Sequence, residues 1–519
     1  MAGRSEANAP SSSSGAAEPY SIFDHRQKAL ITFLAATAAT FSASASNIYF
    51  PALPAIAHDL DVSIELVSLT VTSYLIFQGI APSIWGPLSD VKGRRITYFC
   101  TLLVFFVACI GLAETRNYAT LVVLRALQSS GSASTVAVGS AVIGDITTPA
   151  ERGSYLGIFQ AGLLAPVAVG PVIGGALAAS LGWRSIFWFL AIYSGIYLTA
   201  QAFLLPETLR SLVGNGSAVS SNPVTRFPLN IYQKLTKVKF NHQDQPQGPK
   251  KLKIDISAPI RILFSKQAIC PIIFLALYYA IWQMSITAMS VLFSERYGLS
   301  TTQIGLTYIA NGAGTVSGTL VTGWMLDKEY ERVKKQYEAD KSQNGLELGS
   351  QDSPTVQDDD VDFPLEKARF RLAPIFALLQ CASIITFGWT IEYRVHIAVP
   401  IITTFFTGWT VISIASIVTT YLLDVFSEQK AASTASLNLA RCLLAAGGTS
   451  IVMPIISAVG VGFAFTIAIA VQILALGGVA IQWKYGGGWR LDAEKARRQA
   501  EQEDGTASVS SIDQRETAL

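Results

Sequence analysis

The sequence predicts an all-α membrane protein: twelve transmembrane helices in two six-helix bundles related by an internal repeat. Three observations carry this. Half of the 519 residues are apolar and only 14 % are charged, against roughly 25 % charged in an ordinary soluble domain. The apolar residues gather in blocks of about twenty, the helical length that crosses roughly 30 Å of hydrocarbon. Residues 63–90 align without a gap on residues 300–327, so that Gly86 meets Gly323 and Asp90 meets Asp327.

The twelve blocks run over 29–50, 64–85, 96–114, 119–144, 153–178, 184–206, 268–293, 303–326, 371–391, 396–420, 430–456 and 461–483. Each is expected to be helical, because lipid offers no partner to the backbone groups of an open strand. The organisation that follows is a polar tail (1–28), a first bundle (29–206), a central loop (207–267), a second bundle (268–483) and a closing tail (484–519). Both tails and the central loop read as cytoplasmic. The first tail reads as disordered, and the loops 207–267 and 327–370 as mobile, since they are charged and lack apolar periodicity. The first block follows a long polar tail and lacks the form of a cleaved signal, so it reads as a retained span.

Basic residues set the orientation. With both termini inside, 32 of the 38 lysines and arginines face the cytoplasm, and only Arg116, Arg184, Arg296 and Arg394 lie in outer loops. Such an excess marks the cytoplasmic side. Asn215 in an Asn-Gly-Ser sequon then faces inward and stays unmodified. The five cysteines show no paired spacing, so neither a metal site nor a disulfide framework is indicated. No phosphate-binding loop, metalloprotease motif or nucleophile elbow is present, which excludes ATP drive and the common enzyme classes. No cofactor is expected.

The stretch GPLSDVKGRR, residues 86–95, puts a knot of charge between two apolar blocks. Gly86 and Gly93 suit a tight turn that brings helices together. Arg94 and Arg95 hold it on the cytoplasmic side and neutralise Asp90. These residues resemble the loop after the second span of the major facilitator superfamily, Gly-x-Leu-(Ala/Ser)-Asp-x-x-Gly-Arg-(Arg/Lys). The resemblance implies a latch that closes the inner gate when the cavity opens outward. In the second half Gly323 and Asp327 remain, but KEYERVKK replaces the Gly-Arg-Arg end. GDITTPAERGS, with Asp145, echoes LDVFSEQKAAS after the tenth span.

Two further stretches fit. LRALQSSGSAS, with Arg125, Gln128 and Gly131, resembles the family's fourth-span element. APVAVGPVIGG, with Pro166, Gly170, Pro171, Gly174 and Gly175, partly matches the fifth-span glycine element of exporters. SNIYFPAL, RSIFWFL, LPETLR and NLARCLLAAGG are similar to fungal members of the twelve-span drug:proton antiporter group, which includes quinidine-resistance-type pumps and citrate exporters. The resemblance implies a secondary transporter, coupled to protons in that group.

Two charges lie within the spans: Arg125 in the fourth and Arg441 in the eleventh, with Gln128 and Asn438 three positions away on the same faces. Charges at that depth cost at least about 2.5–3.5 kcal/mol and mark function by default. No Asp or Glu occupies the middle of a span. Two buried guanidiniums without a carboxylate favour an anionic substrate such as a di- or tricarboxylate. The remaining cavity candidates are Asn47, Tyr74, Gln78, Gln160, Gln283 and Asn311. Tyr278 and Trp282 fit packing as well as a cavity wall. The expected gate comprises Gly86, Asp90, Gly93, Arg94, Arg95, Asp145, Gly170, Pro171 and Gly174. The expected partners are a small anionic molecule, protons and the bilayer, with no nucleic acid, in a plasma-membrane monomer. The alternatives are a polyspecific drug:proton antiporter and a transporter-like receptor.

Overall fold

The computed structural model describes residues 19–148, 151–218, 226–238, 257–347, 363–426 and 429–516. Among the described residues helices are the only regular structure. The first half holds α1 (His25–Asn47), α2 (Leu53–Asp59), α3 (Ile64–Lys92), α4 (Arg94–Ala113), α5 (Tyr118–Ile146), α6 (Arg152–Leu181) and α7 (Arg184–Leu204). Short helices α8 (Arg210–Val213), α9 (Leu229–Leu235) and α10 (Ala258–Leu263) follow. The second half holds α11 (Ile269–Tyr297), α12 (Thr301–Glu347), α13 (Leu365–Phe370), α14 (Ala373–Glu392), α15 (Ala398–Val425), α16 (Lys430–Val459) and α17 (Val461–Glu516).

Local chemistry sets several of these ends. Ser63 accepts a hydrogen bond from the Leu66 amide and Asn117 from the Thr120 amide, at 3.4 and 2.8 Å, which caps α3 and α5. Gly298, left-handed at φ +64°, ends α11. Among the described residues, ten helical segments are long and apolar enough to cross a membrane. α5 and α12 are as long but poorer in apolar residues, because they are central. α5 packs on α1, α3 and α4, and α12 packs on α6 and α15, so their serines, threonines and glycines meet protein rather than lipid.

The two halves repeat the same packing. α1 lies on α6 as α11 lies on α16, α3 on α5 as α12 on α15, and α4 on α7 as α14 on α17. Reciprocal contacts join them: α6 against α12, and α3 against α16. Glycines let these backbones approach. A Cβ on Gly175 would come within 2.7 Å of the Thr301 carbonyl, and one on Gly79 within 3.0 Å of the Cys442 Cβ.

The close inter-half contacts occupy only part of each interface. Asn438 meets Gln78, Thr72 meets Thr449, and Gly312 meets Ala168, all between mid-helix and the face opposite the termini. Towards the terminus-bearing face, a Cβ on Gly86, Gly153, Gly157 or Gly323 would touch nothing. Among the described residues, these close contacts between the halves lie from mid-helix to the distal face.

Four sequence expectations change. The tight turn expected between Gly86 and Gly93 is confined to one residue: α3 runs through Gly86 and Asp90 to Lys92, and only Gly93, at φ +107°, breaks the helix. The tail to residue 28 is ordered from Pro19, since Ile22 and Phe23 are buried under the central loop and α1 starts at His25. There, Ile22 donates its amide to the Asn215 carbonyl, Asn215 donates to the Pro19 carbonyl, and Arg210 donates to the Tyr20 carbonyl. The Phe23 ring meets Tyr232, whose phenol burial pushes up to about 12. The loop 207–267 is therefore folded over 207–218, 226–238 and 257–263; residues 219–225 and 239–256 lie outside the described residues. α12 and α17 continue well past their apolar blocks, because KEYERVKKQYEADK and LDAEKARRQAEQ are made of strong helix formers. The acidic run QDDDVD and residues 1–18 also lie outside the described residues.

Candidate functional site

At the mid-depth of the inter-half seam, α16 presents Asn438 and Arg441 towards α3 and α11. The Arg441 guanidinium is half-buried. It donates from Nε and Nη2 to the Asn438 Oδ1 at 3.2 and 3.0 Å, and it lies 5.0 Å from the centroid of the Tyr279 ring. Its Nη1 makes no hydrogen bond with the described residues. Asn438 turns its other end across the seam, donating from Nδ2 to the Gln78 backbone carbonyl at 3.0 Å. The Gln78 Oε1 has no partner among the described residues. Neither do the Trp282 Nε1 and Gln283 Nε2 on α11, although both residues are over nine-tenths buried. Trp282 packs on Tyr279 at 5.3 Å between centroids. Arg441, Asn438 and Gln78 with this aromatic pair form a polar patch with unspent donors and acceptors, and no carboxylate pairs with it among the described residues. It can hold an anion.

Arg125 is placed differently. It is 1 % exposed, sealed inside the first half between the Tyr49 and Tyr74 rings at 4.2 and 4.4 Å. It donates to the Ala45 carbonyl at 3.1 Å and to the Gln128 Oε1 at 2.7 Å, while Gln128 donates on to Cys109. Tyr74 bonds to Ser42 and Ser132. Cation–π contact and a backbone carbonyl at the last turn of α1 surround its charge in this conformation. In this conformation Arg125, Gln128 and Tyr74 are buried and bonded within the first half. Asn311 likewise donates to the Thr404 carbonyl and is 2 % exposed, inside the second half. Tyr278 is a packing residue, donating to the Gln472 carbonyl. Asn47 bonds back to Ala43, and Gln160 is exposed.

Among the described residues the charge knot is a network within the first half. Arg94 pairs with Asp90, donates from Nε to Asp145 at 3.0 Å, and holds the Ser89 hydroxyl at 2.7 Å. Arg95 leaves the knot and donates to the Ala202 carbonyl at the end of α7. The residue that organises the group is Glu207, 1 % exposed. Its carboxylate accepts from the amides of Arg94, Thr208 and Leu209 at 2.8, 3.0 and 3.0 Å and from Arg95 at 3.3 Å, at the positive end of α4. A Cβ on Gly93 would collide with this carboxylate, so glycine is required there by space as well as by φ. Glu207 was visible in the sequence as the acid of LPETLR beside the seventh helix, but nothing in spacing told that it folds back.

The second half carries a matching pair. Arg369 donates from Nε to Asp424 at 2.8 Å, with its guanidinium over the Tyr330 ring. Asp424 is the repeat partner of Asp145, so a basic residue more than forty positions beyond Asp327 restores the pairing that the sequence shows as lost. Gly170 and Gly174 on α6 face the end of α1, where a Cβ on Gly174 would strike the Ile48 carbonyl; Pro171 sets its own carbonyl against Gly305.

The profile of the Major Facilitator Superfamily matches residues 33–449. The chain belongs to this superfamily. Its curated relatives include Citrate exporter 1 of Aspergillus niger, 36 % identical over 478 residues, covering 92 % of this chain and 89 % of that protein. Multidrug transporter QDR2 of Candida glabrata is 36 % identical over 441 residues, 83 % of this chain and 75 % of that one. Quinidine resistance protein 1 of Saccharomyces cerevisiae is 36 % identical over 440 residues, 82 % and 78 %. Among solved structures, the Escherichia coli xylose transporter XylE covers 88 % of this superfamily member at TM-score 0.57 and 15 % identity. The human organic anion transporter MFSD10 covers 87 % at TM-score 0.53 and 15 % identity. At that identity the two structures speak for the fold. The superfamily member is a multi-pass membrane transporter of that fold.

Proposed function

We propose that the protein is a plasma-membrane exporter of small organic anions, di- or tricarboxylates, working by alternating access with both termini cytoplasmic. The observation that carries this is Arg441: a guanidinium at mid-depth in the seam, unpaired with any described carboxylate and with Nη1 unspent. A planar, permanently charged fork suits a carboxylate. The distribution of basic residues supports the orientation, and the citrate exporter among the relatives supports the substrate class. Asn438 gives the site a link to conformation, since one amide holds Arg441 and the facing half through Gln78. A ligand that draws Arg441 aside loosens Asn438 and with it a seam contact.

The second reading, a polyspecific drug:proton antiporter, is favoured by the half-buried Tyr279 ring beside Arg441, backed by the buried Trp282, and by the drug-transporter names among the relatives. Efflux of labelled citrate, itaconate and a cationic drug from proteoliposomes, with and without a pH gradient, separates the two. Gradient-driven transport of the cation with none of the acids would reject the anion exporter.

A further inference from the structure

The link between α1 and α2, Ile48–Leu53, is an elbow at the distal face. Pro51 has no amide hydrogen, so the helix cannot run on, and the chain makes a 3-10 turn over Phe50–Ala52 before α2 begins. Connections of this kind usually sit in solvent, yet here Ile48, Tyr49, Phe50, Ala52 and Leu53 are each no more than 1 % exposed. What buries them is split between the halves. On the side of the first half, the Tyr49 hydroxyl bonds Thr70 at 2.8 Å and its ring packs under Arg125 at 4.2 Å. Arg125 also donates to the Ala45 carbonyl in the last turn of α1. On the other side, Phe50 stacks on Tyr308 of α12, with planes 6° apart and centroids 6.1 Å apart. The Tyr308 hydroxyl in turn donates to the Ile286 carbonyl of α11 at 2.8 Å.

We infer that this elbow is the distal gate: Phe50 is the knob, Tyr308 the seat, and Arg125 a positioning residue that fixes the knob from within the first half through Tyr49. The inference rests on superfamily membership alone and is independent of the substrate's charge. For the distal face to open, the stack between Phe50 and Tyr308 must separate, because each ring is fastened to a different half. Arg125, sealed inside the first half, then acts on transport through the stiffness of the elbow and not by touching substrate.

The test is hydrogen–deuterium exchange of the amides of residues 48–59 in the full-length protein in nanodiscs, beside transport in proteoliposomes. Phe50→Ala and Tyr308→Ala should each raise exchange of the elbow about 2- to 12-fold, the span that one ring pair supplies. The double variant should exceed the larger single effect by less than about twofold, because both remove one contact. Phe50→Trp, which keeps a ring, should stay within about twofold of the parent and shows that the fold is intact. Arg125→Lys should raise elbow exchange and lower turnover with KM within about twofold; where that variant does not fold, Tyr49→Leu carries the same test. Unchanged exchange in both alanine variants, or effects that multiply in the double, would overturn the gate. A KM raised about tenfold by Arg125→Lys with elbow exchange unchanged would overturn the positioning role and make Arg125 a ligand.

Discussion

Replacing Arg441 is the sharpest probe of the proposed anion site. Two of its three nitrogens are engaged with the Asn438 Oδ1, leaving Nη1 as the unspent donor edge. A substrate carboxylate on that edge gains a hydrogen bond from a charged group, about 1.5–3 kcal/mol, or roughly 12- to 160-fold in apparent affinity. Arg441→Ala should remove at least this much and bring anion export to background. Arg441→Lys keeps the charge but gives up the planar fork that Asn438 fixes, so it should retain little export, with KM raised roughly tenfold or more. The assay is citrate and itaconate efflux from proteoliposomes over a range of substrate concentrations. Each variant is first shown to be monodisperse and as heat-stable as the parent, because burial of a lone Asn438 carbonyl could also weaken the fold. Normal anion export by well-folded Arg441→Ala would refute the reasoning. Loss of cationic-drug efflux alone would transfer the case to the drug antiporter.

Other expectations concern the terminal face. Asp90→Asn should cost under about 1 kcal/mol of stability, since in this conformation Asp90 is half-exposed and, among the described residues, pairs with Arg94 alone; on the latch reading it should lower turnover far more than it raises KM, and parental turnover would remove the latch. Gly93→Ala should destabilise by about 1–3 kcal/mol from the positive φ alone, with a further loss from displacing Glu207, read as a lowered melting temperature of the purified protein. Glu207→Ala should cost at least about 3 kcal/mol, because four backbone amides lose their acceptor, whereas Glu207→Gln should recover most of it by keeping one oxygen. If Glu207→Ala melted with the parent, the capping account of the α4 terminus would fail.

How much of this was legible in the chain differs by feature. The helices and the repeat are local and periodic, so apolar blocks and a gapless alignment expose them. Arg441 and Asn438 sit three apart on one face, and their pairing follows from that spacing. Arg125 and Gln128 have the same spacing, yet the first pair lines the seam and the second is sealed behind two tyrosines. Nothing within either helix separates the cases; the packing of α1 and α3 does. Glu207 and Arg369 were hidden for a related reason, as each bonds to residues far along the chain. Helix lengths past the membrane were missed because hydropathy marks where lipid ends, not where hydrogen bonding does.

The clasp of residues 19–24 on the central loop has a consequence for biosynthesis. Asn215 and Pro19, joined by a hydrogen bond, are 196 residues apart. A ribosome adding about 5–20 residues per second takes roughly 10–40 s to cover that interval. Through all of it Ile22 and Phe23, fully covered in the finished protein, have no loop to lie under. The tail is therefore the first part of this half to be made and the last to find its partners, after all of α1–α7. A nascent chain that ends before Arg210 lacks the loop residues that bond and pack around Ile22 and Phe23, and one that reaches Lys237 has them.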